Sequence, residues 1–102
     1  MKSLIISRSM DILTWLRLAG VEGFFCRNSD ELKRNFKNCK DDETLGIIIL
    51  TESDFKEIEE DVIKVKLSKK LPLVVTIPDK GGLKDKDFIL KYVKESVGVK
   101  IS

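Results

Sequence analysis

Residues 46–55 read Gly46-Ile47-Ile48-Ile49-Leu50-Thr51-Glu52-Ser53-Asp54-Phe55, four consecutive aliphatic residues and then an abrupt change to charged residues. A run that is apolar at every position reads as a strand buried on both faces, the habit of parallel sheets. The charged stretch that follows carries Phe55, Ile58, Val62 and Val65, which fall within roughly 80° of one another at helical spacing. A buried strand that passes into a one-faced helix is the first half of a β-α-β unit.

Working outward, the chain alternates in the same way. Apolar runs at Ser3 to Ile6, Gly23 to Cys26, Gly46 to Thr51 and Leu73 to Ile77 are separated by helical patterns at Met10 to Ala19, Asp30 to Cys39 and Ser53 to Leu67, with a fourth near Lys86 to Val97. Strict alternation predicts an α/β fold, a small doubly wound four-stranded parallel sheet of order 2-1-3-4 flanked by four helices, Rossmann/flavodoxin-like in kind. At 102 residues the length prior gives one domain spanning 1–102. A chain of this size buries roughly 65% of the surface its unfolded form exposes, enough for a single core.

The punctuation agrees with these boundaries. Gly20 stands where a C-cap belongs, and Ser29 is the expected N-cap of the second helix. The third helix opens on Glu52, Asp54, Glu57, Glu59, Glu60 and Asp61 and leaves through Lys64, Lys66, Lys69 and Lys70. Acid first and base last suits the helix dipole; an acidic partner-binding face is the functional alternative. Pro72 and Pro78 bracket the fourth strand, where a missing N–H costs little.

Composition narrows the classes of function. Nineteen Lys and Arg against 17 Asp and Glu leave a net charge of +2, too small a basic surplus for a general nucleic-acid binder. No stretch approaches the ~20 apolar residues of a membrane span, and Met1-Lys2-Ser3-Leu4-Ile5-Ile6 reads as no signal peptide. Cys26 and Cys39 make no disulfide framework and lack metal-ligand spacing, so a reducing cytoplasm is the expected setting.

The apolar stripes differ in width. Leu32, Phe36 and Cys39 form a narrow one in the second helix. In the first helix Ile12, Leu13, Trp15, Leu16, Leu18 and Ala19 spread over roughly 220°, and in the fourth Phe88, Ile89, Leu90, Tyr92, Val93 and Val97 cover roughly 200°. Two explanations are open. Right-handed crossovers place the first and fourth helices on one face of the sheet, where each buries its excess on the other. Alternatively they leave an exposed apolar flank for a partner, with Trp15, Leu18, Phe88 and Tyr92 as anchors. Leu83, which opens the C-terminal segment 83–102, joins that candidate interface.

Catalytic patterns are missing. With no histidine, Ser-His and Cys-His nucleophiles are impossible within this chain. The turn after the first strand, Ser7-Arg8-Ser9-Met10-Asp11, has no glycines to let the backbone approach a pyrophosphate. A receiver domain needs an acidic pair after the first strand and an Asp ending the third. Here those positions read Ser7-Arg8 and Leu50-Thr51-Glu52. Sugar-phosphotransfer chemistry needs a Cys in the first strand-to-helix loop, whereas Cys26 and Cys39 lie elsewhere and read as small core or edge residues. Asp79-Lys80-Gly81-Gly82 reads as a flexible strand-to-helix connection, with a phosphate loop as the alternative. No catalytic residue, cofactor or metal site is expected.

Four segments, in this order and at these spacings, resemble one family. They are Leu18-Ala19-Gly20-Val21-Glu22-Gly23, Gly46-Ile47-Ile48-Ile49-Leu50-Thr51-Glu52, Leu71-Pro72-Leu73-Val74-Val75-Thr76-Ile77-Pro78-Asp79-Lys80 and the tail Val97-Gly98-Val99-Lys100-Ile101. Together they resemble the F subunit of the V-type and A-type rotary ATPases, essentially end to end. The family usually carries Gly-Asp after the first strand where this chain has Ser7-Arg8, so nothing the family does with that turn carries over.

The resemblance implies a non-catalytic central-stalk component bound to the D subunit, the coiled-coil shaft. It further implies contacts with the membrane-ring adaptor and the ring of A and B subunits. Its role would be to modulate ATP hydrolysis or synthesis coupled to H⁺ or Na⁺ movement, and its place the cytoplasmic face of the cell membrane, without insertion. The family is also expected to use its C-terminal helical segment, here Leu83 to Ser102, in stalk contacts. The alternative is a degenerate receiver-like signalling or adaptor domain.

Overall fold

The computed structural model describes residues 2–68 and 70–79. Its elements run β1 (Lys2–Ser7), α1 (Met10–Leu18), β2 (Glu22–Phe25), α2 (Ser29–Lys40), β3 (Leu45–Thr51), α3 (Glu52–Glu57), α4 (Glu59–Ser68) and β4 (Leu73–Ile77). All four strands are parallel, in the order β2-β1-β3-β4, which is the expected topology. The expected fourth helix near Lys86 to Val97 lies outside the described residues.

β3 is the centre of the molecule. All seven of its residues are buried because β1 and β4 flank it and both faces are covered, so its sequence has no polar alternation to show. Side chains on one sheet face, Ile5, Ile47, Ile49 and Ile77, pack with Ile12, Leu13 and Leu16 of α1. On the other, Leu4, Ile6, Ile48 and Leu50 pack with Leu32, Phe36 and Cys39 of α2 and with Ile58 and Val62. Each such buried aliphatic or aromatic side chain contributes about 1.5–3 kcal/mol of transfer free energy.

The turn from α1 to β2 follows from Gly20, whose φ of 86° lies in the region a Cβ disfavours. The Gly20 amide donates to the Arg17 carbonyl at 2.9 Å and the Val21 amide to the Leu16 carbonyl at 2.9 Å, a Schellman closure with Val21 and Leu16 meeting in the same cluster. Gly23 has a different reason. A Cβ there would stand 2.5 Å from Leu13 Cδ2 and 2.7 Å from Ile5 Cγ2, so glycine is what lets α1 lie close on the edge strand.

Two local expectations are corrected. The N-cap of α2 is Asn28, whose side chain accepts from the Glu31 amide; Ser29 is the first helical residue and donates through Oγ to Glu57 Oε1 at 2.6 Å. The single helix expected over Ser53 to Leu67 is two helices that meet at Ile58. The Ile58 amide is shared between the Asp54 and Phe55 carbonyls at 3.3 and 3.2 Å, and its φ, ψ of −123°, 32° leave helical values. The side chain this turn seats is 2% exposed in the second cluster, where Val62 joins it and Phe55 and Val65 pack against it, so the break leaves the whole apolar stripe facing the core. At the other end there is no connecting loop. Thr51 ends β3 and also caps α3, its Oγ1 accepting from the Asp54 amide at 3.3 Å.

Candidate functional site

In an open parallel sheet ligands bind outside the carboxyl ends of the strands, where the order reverses. Here that point lies between β1 and β3. A cleft of about 230 Å³ marks it, lined by Arg8, Ser9, Thr51, Ser53, Asp54 and Asp79.

The cleft is walled by the chain's own charges. Arg8, the first residue after β1, donates from Nε to Asp54 Oδ1 at 2.6 Å and from its backbone amide to Asp54 Oδ2 at 3.2 Å. Its Nη2 reaches the Ser53 carbonyl at 3.4 Å, and Nη1 lies 4.0 Å from Glu57 Oε2. The Asp54 side chain is 3% exposed against 31% for Arg8, so a nearly buried carboxylate is held by a half-buried guanidinium, both of its oxygens accepting. The hydrogen bond to Asp54 pushes the Arg8 pKa further up, against the opposing cost of burial. Asp79, beyond β4, closes the remaining side by accepting from the Ser53 hydroxyl at 2.7 Å and the Ser53 amide at 3.2 Å. Ser7 is buried and spends its Oγ on the Ser9 amide at 2.9 Å.

Nothing in the described part of this cleft is arranged to activate a nucleophile or to receive a phosphate. The positions a receiver would need acidic hold Arg8 and Thr51, and the Arg8 guanidinium points at Asp54. Among the described residues no group of three or more His, Cys, Asp or Glu side chains is placed to hold a metal. No described helix is long and apolar enough to cross a membrane.

Both cysteines are free and buried in the α2-side cluster. Burial pushes the Cys39 thiol up to about 11. It also raises that of Cys26, whose Sγ accepts from Asn35 Nδ2 at 3.2 Å. Neither has the electropositive, accessible setting of a reactive thiol.

The sequence-derived interface residues fare differently. Trp15 is half-buried and packs against the α1-side cluster, so part of its apolar surface belongs to the core. Leu18, in the last turn of α1, is 65% exposed. Leu83, Phe88 and Tyr92 lie outside the described residues, as do Lys80, Gly81 and Gly82 of the glycine turn.

Sequence reasoning missed further exposed apolar side chains, among them Phe24 and Phe25 on the edge strand β2, at 50% and 41% exposure. An unbroken apolar run reads as buried, and only β2's place at the sheet edge, with α1 against its start, leaves them in solvent. It also missed the Arg8–Asp54 pair, for which a 46-residue separation leaves no local signal.

Comparison with known proteins supplies what the geometry does not. Residues 4–93 match the family described as ATP synthase (F/14-kDa) subunit. The A-type ATP synthase F subunit of Methanosphaera stadtmanae is 35% identical over 94 residues, covering 89% of this chain and 88% of that protein. Those of Methanococcoides burtonii (32% over 97 residues, 94% of each chain) and Methanothermobacter thermautotrophicus (33% over 94 residues, 89% and 88%) are similar to it as well.

Proposed function

The chain belongs to the family of the ATP synthase (F/14-kDa) subunit, and on that premise we propose that it is a non-catalytic part of the rotating central stalk, bound to the D subunit that forms the coiled-coil shaft. The observation that carries this reading is the near full-length similarity to A-type ATP synthase F subunits. The pairing at the switch-point cleft supports the non-catalytic half of it: Arg8 and Asp54 are committed to each other at the place where an α/β enzyme of this topology holds its ligand.

The shaft contact uses the flank of α1, with Leu18 and the outer part of Trp15, continued by Leu83, Phe88 and Tyr92 of the C-terminal segment 83–102. Leu18 is exposed and Trp15 half-buried, and aliphatic and aromatic residues are the usual centre of a protein–protein contact. Through it the chain stabilises the shaft and modulates ATP hydrolysis or synthesis coupled to H⁺ or Na⁺ movement. Further contacts are with the membrane-ring adaptor and the A and B subunits. Its place is peripheral, on the cytoplasmic face of the membrane.

Co-expression with the D subunit tests the reading. A stoichiometric complex that survives size-exclusion chromatography, together with no ATP turnover by the chain alone, is the expected result. A chain that elutes free of the shaft, or that hydrolyses ATP by itself, overturns it.

A further inference from the structure

The outer face of α2 carries a charge pattern that the fold does not use. Lys33, Lys37 and Lys40 are all exposed, and their spacing of four and three residues lines them up within roughly 60° along one side of the helix. Lys37 and Lys40 fall in the last turn, where the helix dipole favours cations. Lys33 stands a turn earlier and has no such benefit. Like charges at these spacings oppose the helix, and the helix does not neutralise them. Of its two carboxylates Glu31 is taken by Arg27 Nε at 2.8 Å, which leaves Asp30. Among the described residues the ion pairs are Arg8–Asp54, Arg8–Glu57 and Arg27–Glu31, none involving the three lysines.

Beside the stripe is its opposite. A groove of about 390 Å³ between α2 and the α3–α4 junction is lined by Lys33 on one bank and by Lys56, Glu57, Ile58, Glu59, Glu60 and Asp61 on the other, a bank that stays net acidic with four carboxylates against one lysine. A uniformly anionic surface, whether a lipid headgroup layer or a nucleic acid, would meet those carboxylates as soon as it met the lysines. A helix carrying both signs would not. Acidic residues one turn apart on one side would face Lys33, Lys37 and Lys40, and basic residues on the other would face Glu59, Glu60 and Asp61.

We propose that this face of α2 and the adjoining groove dock a mixed-charge helix of another subunit of the same ATP synthase. α1 and α2 cover opposite faces of the sheet, so this docking surface is separate from the apolar flank assigned to the shaft and is governed by salt where the flank is not. It rests on the stalk reading above, since it takes the partner from the same assembly.

The test is made on the complex purified after co-expression with the other ATP synthase subunits. A water-soluble carbodiimide joins amines to carboxylates already in contact. It is expected to link at least one of Lys33, Lys37 and Lys40 to an Asp or Glu within a helix of another subunit. Acetylation of these lysines should be slower in the complex than in the free chain and recover at high salt. In the triple variant Lys33→Glu/Lys37→Glu/Lys40→Glu, association at low salt should slow by about tenfold. A complex that contains the chain but leaves the three lysines acetylated as fast as in the free chain overturns this inference alone. Binding of the free chain to phosphatidylglycerol vesicles that the triple variant abolishes, with no cross-link in the complex, overturns it in favour of a membrane. A chain that enters no complex overturns both readings.

Discussion

Arg8 Nε lies 2.6 Å from Asp54 Oδ1, tying the turn after β1 to the first turn of α3 across the point where the strand order reverses. The contact does two things at once. It satisfies a carboxylate that is almost entirely out of water, and it ties up the charges lining the crevice in which this topology ordinarily receives a ligand.

Removing the cation should therefore cost more than a surface ion pair. Arg8→Met leaves Asp54 with fewer partners and is expected to lower stability by about 1–3 kcal/mol. The double variant Arg8→Met/Asp54→Leu, which removes the orphaned carboxylate as well, should recover part of the loss. Urea unfolding of the two variants and the parent reads this directly. Equal losses in single and double variants would contradict the assignment.

The two described glycines with structural roles should respond in opposite ways to size. At Gly20 a Cβ meets nothing within 4 Å, and only the positive φ resists substitution. Gly20→Ala is expected to cost about 1 kcal/mol and Gly20→Asn less. At Gly23 the obstacle is packing, so Gly23→Ala should cost about 1–3 kcal/mol and Gly23→Val more. Thermal or urea midpoints of the four variants separate the two causes.

Stability should fall at alkaline pH through the thiols. The folded Cys39 pKa, about 11, stands above the ordinary thiol value of 9.0. Between those values the unfolded chain has released its proton and the folded chain has kept it. The folded state then binds more protons, and unfolding becomes easier as pH rises. The contribution is fully present below about pH 9 and is lost as pH climbs through about 11. Cys39→Ala should show a shallower decline in urea midpoint between pH 8 and 11 than the parent, whatever its stability at neutral pH. An unchanged slope would contradict the assignment.

The proposed shaft contact separates from the core by the same kind of measurement. Leu18→Ser should change the stability of the free chain by less than about 0.5 kcal/mol yet weaken the complex with the D subunit. Phe88→Ser and Tyr92→Ser should each weaken that complex by about 2–4 kcal/mol while the free chain stays folded. Unfolding of the free chain by either substitution would place that residue in the core. Ile12→Ala, in the α1-side cluster, is the contrast, expected to cost about 2–5 kcal/mol of stability.

The sheet was legible in the sequence because its signal is local. Ile47 to Leu50 are apolar without alternation, which only a strand covered on both faces requires, and the strand order follows from the handedness of the crossovers. The α2 boundary was legible to one residue, since Asn28 and Ser29 are both competent caps and side-chain chemistry alone does not choose between them. The break at Ile58 was hidden because Phe55, Ile58, Val62 and Val65 keep a helical period across it. The crevice was hidden for a different reason. Asp54 reads as one of several acids that suit a helix start, and nothing near it in sequence says that its partner is Arg8. Phe24 and Phe25 read as strand interior because exposure depends on which strand stands at the edge.

β3 passes into α3 with no residue between them, Thr51 serving as the last of one and the cap of the other. An insertion of a single residue there would turn α3 by about 100° and carry Asp54 away from Arg8. It would also deprive the first turn of its cap. The connection from α2 to β3, where Asp41 to Thr44 are exposed, is held by a surface turn, Asp42 Oδ1 accepting from the Thr44 amide and hydroxyl at 2.8 and 2.6 Å, and positions no buried charge. Length variants should accumulate at residues 41–44 and be purged at residues 51–54, and a library of one-residue insertions scored for folded protein would map that boundary.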